Sequence, residues 1–110
     1  MNTETVKLIR DAMNLWSRNG YAPHPSKFHI EPEDNPLCRK FLLGSGSCVG
    51  CPVFEDTRQL ACDGTLYHEA FTAKEAWQSE PNDQDMRFTA QSAALGMKHF
   101  LGSLIPEDTQ

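Results

Sequence analysis

Apolar side chains recur at helical spacing in three stretches, and these define the scaffold. Leu8, Ile9, Ala12, Met13, Leu15 and Trp16 share one helical face, which predicts a helix over about residues 4–18. Thr3 is placed to cap it, and Glu4 suits the positive end of its dipole. Arg18-Asn19-Gly20 reads as its end, with Gly20 at the left-handed position. Tyr67, Ala70, Phe71, Lys74 and Trp77 predict a second helix, stopped by Glu80-Pro81. Two caps compete for its start: Thr65, at the end of the Asp63-Gly64-Thr65 turn, or Thr72 through the capping box Thr72-x-x-Glu75.

The clearest periodic stretch is the last. Met86, Ala90, Ala93, Ala94, Met97, Phe100, Leu101 and Leu104 line one face, Asn82 is the expected cap, and Pro106 is the stop. Gly96 inside this helix costs about 1 kcal/mol relative to alanine and so calls for a packing reason. Close packing within the chain is preferred to a dimer contact.

Elsewhere the periodicity lapses. Tyr21 to Pro36 carries four prolines and reads as a long loop, ordered by packing. Residues 38–62 hold four cysteines with Gly44, Gly46 and Gly50 between them, which predicts irregular backbone. Phe41-Leu42-Leu43 reads as a short strand or a helical turn, and residues 52–54 as extended. The expected class is mainly α: three helices with an irregular four-cysteine segment in a single domain of residues 1–110, and a frayed tail at 107–110.

Composition sharpens this. Only 39% of residues are apolar and ten are aromatic, so the core is thin for 110 residues and wants a staple. The net charge is -5, and residues 59–110 carry all of the excess, with three basic and eight acidic side chains. That balance disfavours unspecific phosphate binding. Lys7, Arg10, Arg18, Lys27, Arg39 and Lys40 leave room for a local basic patch, with scattered solvated charges as the preferred reading. No run approaches the roughly 20 apolar residues of a membrane span, and the first residues lack the pattern of a secretory leader. The expected compartment is therefore a reducing cytoplasm, where cysteines bind metal more often than they pair.

The cysteines follow Cys38-x9-Cys48-x2-Cys51-x10-Cys62. The close pair puts two sulfurs on one tight turn, and two more reach the same centre from either side. Four thiolates fill the tetrahedral shell of a structural Zn²⁺, and equally the ligand set of an iron–sulfur cluster. Zinc is the leading expectation. Pro52 after Cys51 gives weight to the cluster, because it lacks an N–H to donate to sulfur and because a Cys-Pro step recurs in cluster-binding runs. Disulfides or buried thiols are the remaining readings. Either metal species brings the net charge to about -7.

Other chemistry is poorly supported. His29-x-Glu31 before Cys48-x2-Cys51 superficially matches a zinc deaminase, with His29 as ligand and Glu31 as proton shuttle. Ser47 stands where that motif has proline, Pro32 blocks the helix, and Cys38 and Cys62 go unused. No enzyme is expected. His29 keeps a minor role as a substitute ligand, while His24, His68 and His99 are isolated. Trp16, Trp77 and Phe100 read as core.

Cys48-Val49-Gly50-Cys51-Pro52-Val53, followed by Cys62-Asp63-Gly64-Thr65-Leu66-Tyr67, resembles the core of small phage- and prophage-encoded four-cysteine proteins. Cys38 fits their upstream cysteine, and Leu66 departs from their usual proline. The resemblance implies a phage accessory protein in a bacterial cytoplasm and carries no activity with it. The Cys-x2-Cys-Pro-Val string is also similar to the WhiB-like iron–sulfur regulators, but those need a closer fourth cysteine and basic DNA-contacting tails. The leading functional expectation is a zinc-stabilised interaction protein with a protein partner. A nucleic-acid-binding regulator and an iron–sulfur redox or sensing module are the alternatives.

Overall fold

The computed structural model describes residues 1–44, 46, 50–57 and 65–106. Five α-helices lie among them: α1 (Thr3–Gly20), α2 (Pro36–Cys38), α3 (Pro52–Thr57), α4 (Tyr67–Ser79) and α5 (Gln84–Ser103). A π-helical turn, Arg39–Leu43, continues α2. No helix is long and apolar enough to cross a membrane among the described residues.

The bundle is organised on α5, against which both α1 and α4 pack. Gly20 faces Leu95 and Gly102 faces Met13, so α1 and α5 run antiparallel. The short turn after α4 makes α4 and α5 an antiparallel hairpin. Small residues allow the helices to approach: Ala70 and Ala73 on α4, and Ala90, Ala93 and Ala94 on α5, are all buried. Volume comes from Val6, Ile9, Leu15 and Trp16 of α1, Trp77 of α4, and Met97 and Leu101 of α5.

Helix ends depart from expectation by about one residue. Asn2 rather than Thr3 caps α1: its side chain accepts from the Thr5 N–H at 2.7 Å, and its backbone is extended while Thr3 is already helical. Gly20 is the last helical residue and not a left-handed terminator; positive φ occurs at Gly46 and Gly50 instead. Its glycine is required by packing, because a Cβ would overlap the Leu95 side chain. Thr65 prepares α4, accepting from the Tyr67 N–H at 3.1 Å, and Thr72 lies exposed within the helix. At α5 the cap is Asp83, not Asn82; its carboxylate accepts from Asp85 N at 2.9 Å and Met86 N at 3.1 Å. An anionic cap there also suits the helix dipole.

The proline-rich segment is ordered, and it contributes to the centre of the core. Two 3₁₀ turns, Pro25–Lys27 and Pro32–Asp34, frame buried Phe28 and Ile30. Phe28 stands between the tryptophans, edge-on to Trp16 at 6.4 Å and to Trp77 at 6.3 Å. Polar side chains of the bundle hold the segment. Asn19, fully buried, accepts from His29 N at 2.9 Å and donates to His29 O at 2.8 Å. The Tyr67 hydroxyl donates to Ile30 O at 3.0 Å, and Gln91 Nε2 donates to Ala22 O at 2.8 Å.

Of the two readings open for residues 41–43 the helical turn holds, the extended reading of residues 52–54 does not, and there is no strand among the described residues. Residues 41–43 lie in the π-helical turn, and residues 52–54 open α3. Proline explains both: Pro36 and Pro52 each stand at or near the first position of a helix, where the missing N–H costs nothing. Asn35 adds a cap, accepting from Leu37 N at 2.9 Å. The expected tail at 107–110 lies outside the described residues.

Candidate metal centre

Of the four candidate ligands, Cys38 and Cys51 are described, and Cys48 and Cys62 lie outside the described residues. Cys38 is the last residue of α2, half-buried, on a turn anchored by the buried side chain of Leu37. Cys51 is buried at the threshold of α3, where its carbonyl accepts the first helical bond from Glu55 N at 2.9 Å.

The two segments meet. Gly50 has φ 91°, a left-handed conformation, and the edge of the Phe41 ring lies 3.4 Å from where a Cβ on Gly50 would stand. Phe41 is three residues past Cys38 and Gly50 is one before Cys51, so the chain following the first cysteine packs on the turn leading into the third. Glu55 closes that turn, its Oε1 accepting from Gly50 N at 3.2 Å. Pro52 and Val53 are buried, and Phe41 and Phe54 pack against the main core.

This assembly sits at one end of the bundle. A cleft of about 550 Å³ there is walled by Met1, by Thr5 of α1, by Gly50, Pro52, Glu55 and Asp56, and by Ser103 and Leu104. Lys40 forms an ion pair with Glu4 across to α1. Among the described residues, which include two of the four cysteines, no three His, Cys, Asp or Glu side chains converge.

The other sequence candidates are elsewhere. His29 is exposed and lines a cleft at the opposite end of α1 with Arg18 and Lys27. Glu31 is exposed and leads into the 3₁₀ turn at Pro32, so His29 and Glu31 share no helix. The basic residues divide: Lys7 pairs with Asp11 at 2.8 Å and Lys40 with Glu4, while Arg18 and Arg39 border a depression that also holds Asp11 and Asp34. Trp16 and Trp77 are buried, and Phe100 is half-buried. Asn19 escaped the sequence reading. Its signal was a polar residue three and four places after Trp16 and Leu15 on the buried stripe of α1.

Compared with models of protein families, with curated proteins and with solved structures, the chain matches none.

Proposed function

We propose that the chain is a metal-stabilised interaction protein in which Cys38, Cys48, Cys51 and Cys62 together hold one structural Zn²⁺. The observation that carries this reading is the contact between Phe41 and Gly50, which sets the segments of Cys38 and Cys51 side by side. Cys48 lies three residues before Cys51 in the sequence and would supply a third thiolate. Cys62 supplies the fourth. Bound zinc supplies a covalent-strength cross-link, with no open position for catalysis. The thin, alanine-rich core is the reason such a cross-link is needed. No enzyme activity is assigned. The partner is a protein, and the resemblance to phage-encoded four-cysteine proteins makes a bacterial host component or another phage protein the proposed target, in the host cytoplasm.

The test is elemental analysis with a visible spectrum, both on anaerobically purified protein. One zinc per chain and no visible absorption are expected. A brown protein with iron and sulfide would replace zinc by the cluster that the Cys51-Pro52 step favours. Protein that binds neither metal, with its thiols titrating as free or paired, overturns the reading.

A further inference from the structure

The end of α1 remote from the cysteines carries a second candidate site. A cleft of about 680 Å³ opens between the last turn of α1 and the segment Tyr21–His29. Its volume lies in the range of small-molecule sites. Arg18 and Lys27 line it, and neither has a carboxylate within 4 Å among the described residues. Asp11 and Asp34 border an adjoining depression that Arg18 also lines. In a chain of net charge -5, Arg18 and Lys27 bring two cations to one cleft.

The same cleft presents an aromatic face. Tyr21 is 73% exposed, although most large apolar side chains of the bundle are buried. Ala22 and Pro23 add an apolar floor, and His29 adds a ring with hydrogen-bonding nitrogens. The walls are fixed before any ligand arrives. Asn19 ties His29 to α1 through two hydrogen bonds, and Gln91 ties Ala22 to α5. Ordering such a site in advance removes part of the entropic cost of binding.

Cations beside an exposed planar ring on a rigid floor match one chemistry, an anionic phosphate joined to a flat heterocycle. We propose that this cleft binds a nucleoside phosphate, with Arg18 and Lys27 on the phosphate and Tyr21 stacked on the base. The ligand is either a free nucleotide or one residue of a single strand. The site uses none of the cysteines, so it stands or fails independently of the metal reading.

The experiment is an NMR titration of the metal-replete full chain with AMP, with a short oligo-dT and with inorganic phosphate. Saturable shifts are expected at the amides of Tyr21, Lys27 and His29. Arg18→Gln and Lys27→Gln, both at exposed positions, should each weaken AMP binding about 5- to 10-fold. Tyr21→Ala should weaken AMP binding and leave inorganic phosphate unchanged. Tighter binding of oligo-dT than of AMP assigns the site to a strand, and equal or weaker binding assigns it to the free nucleotide. The proposal is overturned if AMP and oligo-dT shift nothing in the cleft, or if the Arg18→Gln/Lys27→Gln double variant, folded by circular dichroism, binds as the parent does.

Discussion

Leu66 drops its Cδ1 methyl into the space that Gly96 leaves on α5, where a Cβ would overlap it. The contact explains a glycine in a helix interior, and it fixes the chain as it leaves the cysteine segment to enter α4. The expected consequence is a coupled pair. Gly96→Ala must push the terminal methyl of Leu66 aside, so the gain of about 1 kcal/mol in helix propensity should be largely offset. In a Leu66→Ala background the same substitution should stabilise. Thermal unfolding of the four members of the cycle measures the coupling, and strict additivity would refute it.

Asn19 has a comparable role at the other end of α1. Asn19→Ala removes both bonds to His29 and leaves that backbone without its partners. A loss of about 2–3 kcal/mol is expected from the hydrogen bonds and the desolvated groups left behind. Hydrogen exchange at the His29 amide should accelerate far more than exchange in the middle of α5. Equal acceleration at both places would mean that the side chain has no local role.

The two tryptophans should respond differently to the same change. Trp77 Nε1 donates to Pro81 O at 3.2 Å, whereas Trp16 Nε1 is buried with no acceptor among the described residues. Trp77→Phe loses a bond, and Trp16→Phe removes an unsatisfied donor. The Trp77 variant should therefore be the less stable of the two by about 1 kcal/mol in urea unfolding. Trp77→Ala, which empties the space beside Phe28, should cost about 3–5 kcal/mol.

Metal removal gives the sharpest prediction for the cysteines. Under the zinc reading, Cys51→Ala and Cys62→Ala each lower the melting temperature, and a strong chelator brings the parent down to a similar value. The chelator should then have no further effect on the variants, because four ligands act as one unit. If the chelator leaves the parent's melting curve unchanged, Cys51 is a packing residue only.

The three long helices were legible because each carries a continuous apolar stripe, a signal that averages over many residues. Their caps were not legible to the residue. Asn2 and Thr3, or Asn82 and Asp83, are adjacent residues of the same capping chemistry, and only backbone conformation chooses between them. Gly20 was misread because its local meaning, a helix stop, gave way to a contact with Leu95 far along the chain. Short apolar runs left strand and helix undecided at 41–43 and misled at 52–54 for a different reason. Phe41-Leu42-Leu43 and Val53-Phe54 are too brief to display a period, and the prolines before them tip the balance to helix. What orders the proline-rich segment was invisible locally, since its order rests on Asn19, Tyr67 and Gln91. Of the candidate site, the sequence displays four cysteines and their spacing, while the meeting of Phe41 and Gly50 was not legible.

The antiparallel course of α1 and α5 sets the two candidate sites apart. The cysteine turn lies at the start of α1 and the cationic cleft at its close, and the 18 residues between them span about 27 Å. Occupation of one cleft therefore leaves the other accessible. Under the zinc reading, a chelator should loosen the bundle directionally, with amide protection vanishing around Val6 before it vanishes around Trp16.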